Sequence, residues 1–404
     1  MTVEADAFDY LLVGGGLQSG LMALAIGHYQ PSERVAIVER DPVLGGNHTW
    51  SFHSTDVSEE SSPWIQPLVE SRWPEYDVFV GKYRRRVRLE YCTVSSNHLA
   101  TVLEQQASNN RLRIFTGAQA IDVSPNEVRL SNGEQLRAKV VIDNRGPQGT
   151  DIAEHKGGFQ KFWGFEVELD DDWFLPHPRI MDDRIDQTDG FRFLYTLPFE
   201  PRRVLVEDTR FSNTTNIDRG ECLQQVTRYL SKHGYRDWRI LREEFGVLPM
   251  PTDGKMPGYS LPTLAGGYRG GWFHAATGYS MPMAIRLASL VATTPASDLQ
   301  MAWKTLRAEQ HGRAKFARFL NRLLFDLVTP QTRYQIFRRF YSVLGESRIA
   351  RFYGHRFTLF DAFRIVVGIP PRGLRPIQFL RSYVTPKSKF SVNNVTSMTN
   401  GVAT

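Results

Sequence analysis

Cysteine is nearly missing from this chain: two occur in 404 residues, Cys92 and Cys222, far apart and without a CxxC spacing. That excludes a disulfide scaffold and thiolate metal sites, and it fits a reducing compartment. Long apolar runs are missing too. None reaches the ~20 residues that a helix needs to cross a bilayer, and no charged-apolar-small leader pattern precedes the first strand. A cytoplasmic chain, neither secreted nor integral, is expected, with room for peripheral attachment to the cytoplasmic membrane. Acidic residues are scarce in one region: residues 301–404 hold 18 Lys and Arg against 4 Asp and Glu, whereas residues 1–300 hold 31 against 39. Such a basic end predicts contact with an anionic surface. No nucleic-acid module accompanies it, so anionic lipid is the expected partner and nucleic acid is not. The last residues, 391–404, are polar enough for a disordered tail.

What is present is the composition of a globular protein, 41% hydrophobic and 23% charged, long enough for two or three packing units. DYLLVGGG, from Asp9, reads as a buried strand running into glycines, LQSGLMALAIGHYQ has helical spacing, and RVAIVER reads as a second buried strand ending in Glu39 and Arg40. This β-α-β unit opens a doubly wound nucleotide domain. Gly14 and Gly16 occupy the first two positions of GxGxxG, Ser19 stands at the third, and Gly20 follows. The first glycine permits the tight turn, the second lets backbone approach a pyrophosphate, and the third position needs a small residue for helix-strand packing. Glu39 lies where an acid binds ribose hydroxyls. Gly14, Gly16, Gly20, Glu39 and Arg40 are therefore candidate contacts for one dinucleotide, and the glycines alone leave FAD and NAD open.

Downstream, SSNHLATVLEQQA predicts a helix, and the turn signals SPN and SNG separate strands that end in VVIDNRG. From about Gly158 the pattern becomes alternating and aromatic, with GFRFLYTLP and RVLVEDTRF predicted as an antiparallel hairpin around FEPR. A helix near Asp218–His233 and a strand RILREEFGVLPM follow, and WFHAATGYSMPMAIRLASLVA predicts a strand, a tight turn and a long helix. The last hundred residues are helical in pattern, punctuated by Pro330, Pro370 and Pro371. RVLVEDTRF carries two adjacent acids inside a half-buried strand. Alternation puts Leu205, Glu207, Thr209 and Phe211 on one face and Val204, Val206, Asp208 and Arg210 on the other, so Glu207 and Asp208 are not a close dyad; Arg192 is a candidate partner for Asp208.

GGNHTWSFH, Gly45 to His53, adds paired glycines and polar or stacking groups, including Gly46, His48, Trp50 and His53. No third ligand has metal spacing, so no metal site is expected. Together with DGFRFLYTLP, VEDT, FHAATGYSMP and RFYSVLGESRIARFYGHRFTLFDAFRIVVGIPP, this motif resembles the bacterial lycopene β-cyclases of carotenoid biosynthesis, in the family's order and over almost the whole chain. The resemblance implies an α/β, glutathione-reductase-type (Rossmann-like) FAD-binding domain, a mixed or antiparallel β-rich substrate domain and a C-terminal helical region. The expected division is residues 1–50, 95–157 and 258–300 for FAD, 51–94 and 158–257 for substrate, and 301–390 for a basic helical region on the membrane.

It also implies that FAD acts in its reduced form, with NAD(P)H as reductant, in a reaction without net redox change. Asp143, Thr277 and Gly278 would lie near the cofactor, and other carotenoid enzymes are conceivable partners. Related monooxygenases have Asp-Gly where this chain has Asp143-Asn144, and Gly-Asp where it has His274-Ala275, which counts against oxygen chemistry. Glu207 stands at the position of the family's essential glutamate, with Asp208 as a supporting group, and the substrate is lycopene or other acyclic carotenoid ends. His48, Trp50, Trp163, Phe165, Phe193 and Tyr195 are expected to line the substrate site, with His48 or His53 assisting proton transfer. Two other readings remain open at this stage: a flavin monooxygenase or reductase acting on an apolar substrate, and a flavoprotein that binds lipophiles without catalysis.

Overall fold

The computed structural model describes residues 8–108, 111–146, 156–253, 263–368 and 372–375. The 391–404 tail, Pro370, Pro371 and residues 254–262 of the long glycine-rich loop lie outside them.

Among the described residues, two seven-stranded sheets and one three-stranded sheet carry the fold. In the first, Phe8–Val13 lies between Val35–Val38 and Gln135–Asp143, all parallel, with Leu112–Phe115 beyond Val35–Val38 and Leu264–Ala265 beside Gln135–Asp143. The strands read as continuous apolar runs because both faces are covered. Tyr10, Leu12 and Ile37 join a core with the helices Leu17–Tyr29, Ser96–Ala107 and Met281–Thr293, while Leu11, Val13, Ala36 and Val38 join a second core built on the Ala120–Val123 and Glu127–Leu130 hairpin. The Ser95 hydroxyl caps Ser96–Ala107 by accepting from the His98 N–H at 3.2 Å.

The second sheet runs Trp238–Pro251, Gly157–Leu169, Arg203–Ser212, Phe191–Glu200, Arg179–Asp182, Tyr76–Val80 and Tyr83–Val87. The predicted hairpin forms, turning at Pro201 and Arg202. One face packs against the helix Arg219–Lys232, through Cys222, Val226 and Leu230 on Phe165, Val204 and Val206. The other packs against Tyr334–Val343 and Glu346–Tyr353 through Phe191, Phe193, Leu205 and Phe211. The small sheet, Thr49–His53, Tyr91–Ser95 and Ser71–Trp73, places GGNHTWSFH between the larger two.

One expected strand does not form. Trp272–Ala275 is a closed turn: the His274 N–H donates to Tyr279 O, and the Thr277 and Gly278 N–H groups donate back to His274 O. Its apolar run is buried through side chains instead, Trp272 donating to Ala265 O at 2.9 Å and Phe273 stacking on Tyr268. Leu264–Ala265, hidden in a glycine-rich loop, is the strand that joins the sheet.

Candidate active site

Cross-strand register sets Tyr195, Glu207, Gly164 and Glu244 in one row over four adjacent strands. Directly opposed residues project to the same face, so all four share it. Gly164 is the gap in the row: a Cβ there would lie 3.1 Å from Glu244 Cγ and 3.4 Å from Glu207 Cβ. Across that gap the Glu207 and Glu244 side chains approach each other on one face of the sheet. Both are buried. Burial first, then the neighbouring Glu244 charge, push the Glu207 carboxyl well above the usual carboxylate range; burial also raises Glu244. The expectation of no close dyad holds for Asp208, but Glu207 has a carboxylate neighbour that sequence reasoning missed. Its one signal was REEFG on a predicted strand, and the register that aligns it with Glu207 is a tertiary fact.

Alternate residues of the GGNHTWSFH strand reach both ends of this row. The Thr49 hydroxyl donates to Glu244 Oε2 at 2.7 Å, and Ser51 Oγ lies 2.7 Å from the Tyr195 hydroxyl. Tyr195 continues to Tyr91 at 3.1 Å, and Tyr91 to Tyr279, giving a buried line of hydroxyls beside the acids. Arg242 donates to Glu244 at 2.9 Å and to Thr49 at 2.9 Å. The residues that touch the acid row are thus Thr49 and Ser51, one position off the His48 and Trp50 singled out from sequence. Period-two alternation is the reason. Trp50 instead packs on the nucleotide-domain core. His48 is held near pKa 4 by burial and by Arg242, and His53 near 3 by burial and by Arg356, so both rings are neutral at pH 7. His53 lies in a tyrosine cluster, 3.2 Å from the Tyr76 hydroxyl, outside the row.

The opposite face of the same strand is a different environment. Asp208 receives the Arg192 guanidinium at 2.9 and 3.1 Å through Nε, and Arg210 at 3.3 Å. Arg192 is the partner expected. Trp163 and Phe165 pair with Asp208 and Val206, so they face this side and not Glu207, a correction to their expected lining role. Trp163 stacks on Phe245 and donates to Glu243 at 3.0 Å, while Phe165 sits in the core beneath Arg219–Lys232. Phe193 and Tyr195 lie on the Glu207 face.

The glycine fingerprint builds an open cradle. Gly14 has φ +97° and turns tightly against Asn144 and Arg145, whereas nothing lies within 4 Å of the Cβ direction of Gly16, and no side chain caps the Leu17–Tyr29 helix. Glu39, at the tip of the second strand, accepts from the Gly15 N–H, with Arg40 exposed beside it. Gly46, φ +70°, is nearly as open, with only His48 at 4.0 Å from its Cβ direction. The Ser19 departure has a local reason: its hydroxyl accepts from Asn144 Nδ2 at 2.9 Å, and Gly20 takes the close-packing role, its Cβ direction meeting Leu99 at 2.8 Å. Asp143 lies in register with Val13, its carboxylate held by Arg145 at 2.8 Å and Arg269 at 2.8 Å. Gly278, φ +72°, packs on Leu248 and Gln160, so the Thr277–Gly278 turn abuts the strands that carry the acid row. An open helix N-terminus with an acid at the next strand tip fits the adenosine diphosphate half of FAD.

The family model for lycopene cyclase protein matches residues 9–378. Lycopene beta-cyclase of Pantoea ananas is 37% identical over 370 residues, 90% of this chain and 95% of the relative, and that of Pseudescherichia vulneris is 37% identical over 369 residues, 90% and 94%. Among solved structures, the chain is similar to a geranylgeranyl bacteriochlorophyll reductase-like protein of Thermoplasma acidophilum (TM-score 0.62, 12% identity, 89% of this chain and 96% of that one). It is also similar to a flavin-dependent brominase (TM-score 0.54, 13% identity, 86% and 94%). At these identities the structural likeness is one of fold alone, in keeping with the α/β architecture that the family resemblance implies.

Proposed function

The chain belongs to the lycopene cyclase family, and we propose that it closes the linear ends of lycopene into β-rings by acid catalysis, with no net redox change and with Glu207 as the proton donor. The observation that carries this reading is a buried carboxyl, set across a glycine from a second carboxyl, that burial and its neighbour push well above the usual carboxylate range, in the direction a proton donor needs. A terminal carbon-carbon double bond is a very weak base, so its protonation needs an acid that water does not level. Protonation yields a tertiary cation, the internal alkene attacks it, and a carboxylate of the site takes the proton lost as the ring double bond forms. Water would trap the cation as an alcohol. Burial of Phe193 and Glu207, with the partly buried Tyr195, on one sheet face keeps water out, and aromatic faces favour the cation electrostatically. Bound at this site, reduced FAD, with NAD(P)H as its reductant, would supply an electron-rich ring that stabilises positive charge. Gly14, Gly16, Gly46 and Glu39 would hold it, with Arg40, Asp143, Thr277 and Gly278 around it, whereas the expected contact from Gly20 gives way to its packing on Leu99.

An anaerobic assay with lycopene in liposomes, reduced FAD and pigment chromatography tests the reading. Ring-closed products without stoichiometric loss of reductant are expected; consumption of one reductant or oxygen per turnover would point to the oxygenase or reductase reading instead.

Lycopene dissolves in the bilayer, so the protein must meet it there. Among the described residues no helix is long and apolar enough to cross a membrane. The helix Leu359–Val366 supports docking from the surface: Leu359 is 92% exposed, Phe360 59% and Phe363 58%, with Val366 and Val367 along the same side. Its polar side is pinned, Arg351 gripping Asp361 at 2.7 Å. An apolar stripe on a region with 18 basic and 4 acidic residues fits insertion at an anionic lipid interface. Flotation with anionic vesicles is expected to exceed flotation with neutral ones, and equal binding would remove the electrostatic part.

A further inference from the structure

Glu244 stands against Glu207 although ring closure by one proton donor requires a single acid. Resting on the reading of Glu207 as that donor, we propose that Glu244 is a positioning residue: the two glutamates hold one proton between them, and Glu244, kept ionised by Arg242 and Thr49, keeps that proton on Glu207.

The division of labour follows from which partners each carboxyl has. Glu244 accepts from the Arg242 guanidinium at 2.9 Å and from the Thr49 hydroxyl at 2.7 Å. Among the described residues no cation pairs with Glu207; it lies against Glu244 and accepts from the Thr209 hydroxyl, and the groups facing it from neighbouring strands are the phenols Tyr195 and Tyr91. Asp208, on the same strand, adds negative charge from behind, but it is tied to Arg192 and Arg210. Around Glu244, Glu166 is the other acid, and it shares Arg242 at 2.9 Å and takes Arg203 at 3.1 Å; His48, also near Arg242, is neutral. Two carboxylates in contact cannot both be ionised cheaply in a buried site, so one retains a proton. The member with the cation loses it and the member without keeps it. Gly164 makes the contact possible, because any larger residue there would stand between the two acids.

The test is the pH profile of cyclisation. Glu244→Gln keeps an acceptor for Thr49 and Arg242, removes the charge and offers Glu207 an N–H donor, so the ionised form of Glu207 is favoured. The alkaline limb is expected to move at least about one pH unit toward acid, a ~10-fold loss at a fixed pH on the limb, with flavin bound. Glu244→Asp, which keeps the charge, is expected to hold the limb near its original position. Gly164→Ala is expected to shift it in the same direction as Glu244→Gln by forcing the acids apart, and it carries the test if Glu244→Gln fails to fold. A flavin-loaded Glu244→Gln with an unmoved limb overturns the proposal, including when its rate falls uniformly at all pH, the mark of a merely structural residue. An active Glu207→Gln would instead overturn the reading of the proton donor.

Discussion

Glu207 and Asp208 are neighbours on one strand, both buried, and they live in opposite electrostatic worlds. Asp208 faces two guanidiniums under the Arg219–Lys232 helix; Glu207 faces another carboxyl and a row of phenols beneath the GGNHTWSFH strand. The first arrangement neutralises a charge and stabilises a folded sheet. The second opposes ionisation and stores a proton. A single residue step along a strand separates them, because side chains alternate across the sheet.

The largest effect should come from breaking each side in turn. Glu207→Gln is expected to lower cyclisation by roughly 100- to 10,000-fold, the usual range for a general acid, with flavin content and melting temperature close to the parent. Asp208→Ala should do the reverse: it removes the buried carboxylate between Arg192 and Arg210 and leaves them the half-exposed Glu221, with Asp189 for Arg210, costing up to about 3–5 kcal/mol in denaturant unfolding, while the activity of the molecules that remain folded changes little. If Asp208→Ala kills turnover in a stable, flavin-loaded protein, the contrast between the two faces fails.

A smaller effect sharpens the same contrast through the aromatics. Tyr195→Phe removes the hydroxyl that joins Ser51 and Tyr91 on the Glu207 face, leaving buried polar partners short of a bond, and should cost about 1–3 kcal/mol together with a measurable fall in turnover. Trp163→Leu, on the Asp208 face, should lower stability by a comparable amount with turnover per folded molecule unchanged. Steady-state pigment assays beside thermal melts separate the two outcomes.

The smallest effect concerns pH and stability. His53 and His274 are depressed by burial to about 3 and His48 to about 4. A depressed histidine is neutral when folded, so the unfolded chain takes up protons as pH falls below ~6.5 while the folded chain does not, and stability is lost from there down toward pH 4. Asp56, raised to about 6 by burial, works the other way over the lower part of that range. Melting temperature should therefore decline on acidification below about pH 6.5, and Glu207→Gln should make that decline steeper, since a carboxyl raised by burial stabilises the folded state as pH falls.

Much of the nucleotide half was legible because its signals are local. A strand, glycines at fixed spacing, a helix and a terminal acid sit within about thirty residues, and short-range sterics dictate each of them. The hairpin and the opposed facing of Glu207 and Asp208 were legible for the same reason, as was Arg192 across from Asp208. The failures share a cause as well. Trp272–Ala275 has the apolar content of a strand, but no neighbouring edge receives its backbone, and Leu264–Ala265 pairs despite a loop-like sequence. Trp163 and Phe165 were placed beside Glu207 on aromatic character alone, and register turned them away.

The sequence by itself determined the β-α-β cradle, the family's motifs and the strand that carries an acid on each face, since these depend on residues close together in the chain. Only the tertiary structure decided that Glu244, 37 residues beyond Glu207, would lie against it across a glycine, with Thr49 and Arg242 behind. The pairing of three strands brings those groups together, and the burial that their packing creates turns two ordinary glutamates into one held proton.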